Sequence, residues 1–488
     1  MSSNHSKRPR HEEATPAPDD DNNADVGTHA ASSFSTFDPT SWLSPFGRDS
    51  ILEIKRGGNP ILARGTFGEV SMAVRYPTTT KDTKTTSSSE MPSLVAVKTI
   101  ERAVLPPQRS FGMSPDNNSQ ADSIPKLARE VFHEIMALRY LNPHPNIVPL
   151  LAMYPAQQSY LSLTGLSLVF PYHPSDLYLV VEWRRRAKLS LLPFSVIKSV
   201  LRDVCTALEF CHSRQVLHRD IKPGNLLVTP EGTIQLCDFG LAKPYQNVSN
   251  DVKGDKLPAG LAGESGSKGL CTLWYRPPEV LLGASASDPA VDMYSVGTVL
   301  VEMVTGVPLF AGTNVMDQLS LVFDLLGTPN QDEWPGVTTL PDYGKMNFAD
   351  KQPKPWAEEY PRLDKNPNLV SLVKNIVALD PSKRFSAKQV LESGYFFSNT
   401  QPESSMATSE DLKEYLIPEG LRLPMDLTRS RDDHEQNKQI ALELANKRRT
   451  FLRTGDCQET TDNDEPMVTI EQLVQEFQNK FPKDGKKK

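Results

Sequence analysis

Residues 216–228 read V-L-H-R-D-I-K-P-G-N-L-L-V, and about ten residues later the chain reads C-D-F-G. No other stretch constrains the fold as strongly. It lies between a helix and a strand; the helix, Phe194 to His212, carries Val196, Val200, Val204 and Leu208 at helical spacing. One loop must therefore present an Asp, a Lys two residues on and an Asn five residues on, followed by a second carboxylate beside a flexible glycine.

Upstream the pattern is sheet-rich. Ile51 to Lys55, Val70 to Arg75 and Leu94 to Ile100 read as strands, followed by a helix from about Lys126 to Leu141 and two further strands, Ile147 to Met153 and Leu166 to Phe170. The polar stretches 76–93 and 106–125 are too poor in apolar residues to pack, and the first reads as a flexible excursion from a hairpin. Beyond Asp176 the chain turns mainly helical, as in Val291 to Val304. Sheet first and helices after is an α+β arrangement of two lobes. The expected boundaries are a disordered tail over 1–48, an N-lobe over 49–172, a C-lobe over 173–397 and an extension over 398–488. That extension holds a highly charged helix at Glu435 to Leu452 and a second at Thr469 to Phe481, whose apolar stripe (Ile470, Leu473, Val474, Phe477 and Phe481) is expected to pack on the chain's own body.

Forty prolines in 488 residues agree with long irregular segments. The five cysteines (205, 211, 237, 271 and 457) form no CxxC pair, which argues against a disulfide framework or a zinc site. The apolar runs fall far short of the ~20 residues a bilayer requires. A net charge of −7 does not advertise nucleic acid. A soluble intracellular protein is expected, in nucleus or cytoplasm, without membrane or direct nucleic-acid partners. Lys7-Arg8-Pro9-Arg10 reads either as a nuclear-import signal or as an ordinary charge cluster.

The first strand–turn–strand reads Leu62-Ala63-Arg64-Gly65-Thr66-Phe67-Gly68, then Val70. Such a loop lets backbone N–H groups approach phosphates, with the valine over an adenine ring. Lys98 ends V-A-V-K on an apolar strand. An ammonium there is costly to bury unpaired, so it needs a carboxylate, and Glu134 fits better than Glu130. Asp220 can accept a hydroxyl proton, Lys222 can neutralise charge on a transferring phosphoryl, and Asn225 and Asp238 are hard oxygen donors suited to magnesium.

These motifs, in order and spacing, resemble those of a eukaryotic protein kinase over residues 51 to 397. Thr272-Leu273-Trp274-Tyr275-Arg276-Pro277-Pro278-Glu279 and Leu326-Gly327-Thr328-Pro329 are similar to blocks of the cyclin-dependent kinase group, and features of the hinge and tail resemble its kinase-activating members. The resemblance implies a bilobal protein kinase fold, ATP and Mg2+ as cofactors, and transfer to Ser or Thr of protein substrates, which could include other kinases. It implies catalytic roles for Lys98, Glu134, Asp220 and Lys222, and metal binding by Asn225 and Asp238. Its nucleotide set comprises Leu62 to Gly68, Val70, Ala96, Lys98, Phe170, Tyr172, His173, Asp176 and Leu227. Phe170 would guard the pocket, Tyr172 and His173 would offer backbone groups to adenine, and Asp176 would face the ribose. The later run Leu177 to Trp183 is the competing hinge. Glu279 and Arg384 would form a buried ion pair, and Ser267 would be a regulatory phosphosite. Ala63 stands in place of a glycine. The helix before Glu134 lacks the cyclin-binding sequence and carries His133 where cell-cycle kinases have arginine. That argues against a strict cyclin requirement while leaving a cyclin-like partner open. The alternative is a kinase-fold scaffold without catalysis, against which the retention of Lys98, Asp220 and Asp238 counts.

Overall fold

Alternating apolar residues build the first lobe. The computed structural model describes residues 51–53, 61–65, 68–75, 93–100, 104–105, 126–127, 129–156, 165–245, 272–285, 287–397, 405–422 and 434–454. The expectations for the tail 1–48, the stretches 76–92 and 106–125, Ser267 and the helix at Thr469 to Phe481 fall outside them. Strands β1 (Ile51–Glu53), β2 (Ile61–Gly65), β3 (Gly68–Arg75), β4 (Ser93–Ile100), β7 (Ala152–Ala156) and β8 (Gly165–Pro171) form one antiparallel sheet. Its order is β1-β3-β4-β8-β7, with β2 also on β3. Between β4 and β7 come the short pair β5 (Val104–Leu105) and β6 (Lys126–Leu127), then helix α1 (Arg129–Tyr140).

Two expectations shift here. The helix expected from Lys126 starts at Arg129, because Lys126 and Leu127 pair with Leu105 and Val104. The strand expected over Ile147 to Met153 forms only at Ala152–Ala156. Ile147 instead bridges to Leu236, Asn146 Nδ2 donates to Ile234 O at 2.9 Å, and Pro149 has no N–H with which to carry a ladder onward.

Past the sheet come β9 (Ser175–Asp176), α2 (Leu177–Arg186), α3 (Phe194–Ser213), β10 (Val216–Leu217), β11 (Leu226–Val228), β12 (Ile234–Leu236), β13 (Lys243–Pro244), α4 (Pro278–Leu281), α5 (Ala290–Thr305) and α6 (Val315–Leu326). The run from Leu177 is therefore a helix. Asp176 caps it, its Oδ1 accepting from Leu179 N at 2.9 Å, and the hinge is the earlier segment. Helices α3 and α5 pack at the centre of the second lobe, where Leu201, Leu208, Leu300 and Val304 are buried. Gly297 allows α5 its close approach to the end of the helix Pro367–Ile376, since a Cβ there would lie 2.9 Å from Ile376 Cγ2.

The extension is not a loose appendage. The helix Ser409–Leu416 buries Leu412 and Leu416 on the second lobe. The helix His434–Thr454 returns to the first lobe, where Leu444 and Ala445 join Met72, Val74, Leu94 and Tyr172 in one buried cluster. Among the described residues, no helix is long and apolar enough to cross a membrane.

Candidate functional site

The register of the sheet brings Lys98 opposite Val70 on one side and Leu168 on the other. Its neighbours Val97 and Leu168 are fully buried, so the ammonium needs partners. Lys98 Nζ donates to Glu134 Oε1 and Oε2 at 2.7 and 2.8 Å, and to Asp238 Oδ1 at 3.3 Å. Burial pulls the Lys98 pKa down, but the two carboxylates outweigh it and raise the pKa above the usual lysine value. Lys98 is therefore charged throughout the physiological range. Glu134, 4 % exposed, is the partner expected of α1, which also holds Glu130.

The loop between β10 and β11 is held from beneath by a residue that the motifs did not single out. Asp292, 1 % exposed at the start of α5, accepts from His218 N (3.0 Å), Arg219 N (2.7 Å) and His212 Nε2 (2.9 Å). Burial pushes its carboxyl up, but His212, His218 and these donors more than offset that and hold it below the usual aspartate value. This grip supports Arg219 in a left-handed conformation, φ 70°, that L-residues seldom adopt. The signal was available: an Asp opening an otherwise apolar helix.

Asp220 follows, 6 % exposed. Its Oδ2 accepts from Lys222 Nζ at 2.7 Å and from Asn225 Nδ2 at 3.0 Å, and its Oδ1 from Thr272 N at 3.2 Å. Asn225 Nδ2 also donates to Asp220 O at 2.7 Å, which turns the Asn225 side-chain oxygen away from Asp220. His218 joins this loop to the next: its Nδ1 accepts from Asp220 N at 3.2 Å, so Nε2 carries the proton and donates to Cys237 O at 2.9 Å. Asp238 comes immediately after, in the left-handed region at φ 62° and ψ 69°. Burial raises its pKa, but Lys98, Lys222 and His218 overcome that and keep it below the usual value. Asp238 is thus an ionised carboxylate, half-buried, beside a fixed cation.

These donors suit a hard divalent ion such as Mg2+. It is commonly held by one or two protein oxygens together with substrate phosphates rather than by an all-protein cage. The Asn225 side-chain oxygen and the Asp238 carboxylate are such oxygens, and among the described residues no cluster of three or more His, Cys, Asp or Glu forms a cage. The residues fit the ion.

The remaining expected residues lie around this centre. Gly65 and Gly68 face each other across the β2–β3 turn, with Arg64 opposite Glu69 and Ala63 opposite Val70. Thr66 and Phe67 fall outside the described residues. Ala96 pairs with Phe170, and Leu227 with Asp176. Two hinge residues depart from expectation. The Tyr172 N–H, expected to be offered to adenine, is committed to Leu94 O at 3.2 Å. Asp176, expected to face a ribose, uses Oδ1 to cap α2 and Oδ2 to hold Arg448 Nη2 at 2.8 Å. His173 places its imidazole between Pro171 O (3.1 Å) and Gln235 Oε1 (2.8 Å). The involvement of Arg448 had no sequence signal, because 272 residues separate it from Asp176.

Residues 113–396 match the family described as the protein kinase domain. The sheet bearing Lys98 begins before that span. The chain is 37% identical over 281 residues to cyclin-dependent kinase 20 of Danio rerio, covering 58% of this chain and 74% of that protein. It is 34% identical over 303 residues to cyclin-dependent kinase 20 of Pongo abelii, covering 62% and 78%. To cyclin-dependent kinase C-2 of Oryza sativa subsp. japonica it is 33% identical, spanning 70% of this chain and 59% of the rice protein. Among solved structures it is similar to the CAK complex from Chaetomium thermophilum bound to ATP-gamma-S, with a TM-score of 0.54 and 26% identity, covering 73% of this chain and 94% of that one.

Proposed function

The chain belongs to the protein kinase family, in the cyclin-dependent group of serine/threonine kinases, and from that premise we propose that it is catalytically active with the residues described above in defined roles. Lys98, fixed by Glu134, holds the α- and β-phosphates of ATP. Asn225 and Asp238 would hold Mg2+, which would supply charge neutralisation on the phosphates. Asp220 orients the substrate hydroxyl and takes its proton, and Lys222 stabilises the transferring phosphoryl. The single observation that carries this reading is the coexistence of both assemblies: Lys98 on Glu134 and Asp238, and Asp220 bonded to Lys222, Asn225 and the Thr272 N–H. A scaffold has no need to keep every member of both.

The substrate class we propose is serine or threonine in other proteins, including the activation segments of other kinases, with a role in cell-cycle or transcription control. Similarity to the CAK complex supports that choice. The same reading keeps Ser267 as a phosphosite, a cyclin-like partner as dispensable, and nucleus or cytoplasm as the location. The test is phosphate transfer by the purified chain, without cyclin, from labelled ATP to a kinase activation-segment peptide and to a Ser-Pro peptide. Transfer to the first peptide in preference to the second is expected. Absence of transfer to any peptide across a range of magnesium concentrations overturns the reading.

A further inference from the structure

The hinge between the lobes is gripped by a side chain from the far end of the sequence. Arg448, on the helix His434–Thr454, donates from Nη1 to Pro174 O at 2.7 Å and from Nη2 to Asp176 Oδ2 at 2.8 Å. The Tyr172 hydroxyl, buried and without a well-formed hydrogen bond among the described residues, lies within electrostatic reach of the same guanidinium. One planar cation thus holds positions 174 and 176 and lies beside 172. A forked guanidinium meets both acceptors in a fixed plane, which a flexible ammonium does not impose.

The rest of that helix ties the two lobes together. On one side, Leu444 and Ala445 sit in the cluster of Met72, Val74, Leu94 and Tyr172, with Leu62, Ile440 and Leu442 packed against it. Side chains alternate along a strand, so Met72 and Val74 share the sheet face of Val70, and Leu94 shares that of Ala96 and Lys98. The helix therefore covers the outer continuation of the face under which the nucleotide is proposed to bind. On the other side, Phe451 packs with Leu179, Leu421 and Trp183, the last at 6.1 Å between ring centroids. Leu179 and Trp183 belong to α2, the first helix of the second lobe.

We infer that the helix His434–Thr454 is a strap across the hinge, and that Arg448 is a positioning residue that sets nucleotide affinity by fixing the 172–176 backbone and the approach of the lobes. The inference rests on the nucleotide-binding reading proposed above. Its basis is the two-point grip at the hinge combined with apolar anchors on both lobes. A merely stabilising helix would need the anchors and not the grip.

The test uses the full-length chain and its Arg448→Ala and Arg448→Lys variants. The readouts are KM for ATP, KM for the peptide, kcat, the Kd for a fluorescent ADP analogue with Mg2+, and amide hydrogen exchange over 171–177. For Arg448→Ala we expect KM for ATP and Kd for the ADP analogue to rise about fivefold or more, with peptide KM and kcat within about twofold and faster hinge exchange. Arg448→Lys falls between, and it carries the same comparison if the alanine variant does not fold. ATP KM and nucleotide Kd within twofold of wild type, or a fall in kcat alone, overturn the role. Wild-type protein that binds no nucleotide overturns the kinase reading and, with it, the role in affinity. Hinge exchange then still decides the strap itself: faster in the variants supports it, unchanged refutes it.

Discussion

Replacing Glu279 by alanine strands a charge that has nowhere to go. Arg384 is fully buried in its side chain. Its Nη1 and Nη2 donate to Glu279 Oε1 and Oε2, both at 2.7 Å, and further bonds run to Ala378 O, Ala290 O and Leu379 O. The guanidinium also lies 4.8 Å from the centroid of the buried Tyr294 ring. Removing the carboxylate deletes two charge-assisted bonds at once, each worth ~1.5–3 kcal/mol. The partner remains desolvated, which places the loss at ~3–5 kcal/mol. Against a total stability of ~5–15 kcal/mol, that is enough to lower the yield of folded protein. Glu279→Gln keeps one acceptor and is expected to lose about half as much. Reversible urea unfolding of wild type, Glu279→Ala, Arg384→Met and the double variant measures the coupling. The double variant should be no worse than the poorer single one, because with both charges gone neither is left alone. Single losses below ~1 kcal/mol, or additivity within ~0.5 kcal/mol, would refute the reasoning.

Asp220→Asn and Lys98→Met are each expected to cut phosphoryl transfer by at least ~10²–10³, the first with a thermal midpoint close to wild type and the second with a lowered one, because Glu134 is left buried without its cation; near-normal turnover in either dismisses the assigned roles. The Tyr294 hydroxyl is buried without a hydrogen-bond partner among the described residues, so Tyr294→Phe should leave stability unchanged or raise it by ~1 kcal/mol, and a clear loss in calorimetry would reveal a hidden partner. Burial lifts the Glu302 carboxyl to about 7, only partly offset by the Tyr275 hydroxyl at 2.9 Å. The unfolded chain releases that proton near pH ~4.3, so the folded state binds more protons in between, and stability, full below that pH, falls by roughly 3 kcal/mol as pH rises to 7. Glu302→Gln should flatten that slope between pH 5 and 7; an identical slope in both proteins counts against the assignment.

The parts of the site legible in the sequence are those whose chemistry is carried by near neighbours. Asp220, Lys222 and Asn225 lie within six residues, and Asp238 follows a short hairpin, so their spacing alone places them together. Glu134 was reachable because a lysine on an apolar strand demands a carboxylate. What the sequence withheld depends on distant segments meeting. The stripe of Ile440, Leu444 and Phe451 announces a helix with a buried face, yet periodicity does not say which surface covers it. The run Leu177 to Trp183 is apolar enough for strand or helix, and only the Asp176 cap decides it. Pro149 was the overlooked sign that Ile147 and Val148 would not continue as a strand.

The pairing of Arg75 with Ser93 at the end of the β3–β4 ladder carries a practical consequence. Both strands are already fixed by β1, β2 and β8, so their register owes nothing to the chain that joins them. Two ends facing each other across a ladder stand ~5 Å apart, close enough for a guest domain with adjacent termini to replace the connection. Doubling the length of a flexible connection costs only ~0.6 kcal/mol in closure entropy. A fluorescent reporter spliced between 76 and 92 would therefore ride on the first lobe without disturbing the sheet beneath it. Paired with a second fluorophore on the C-lobe, it would turn lobe movement into an optical signal.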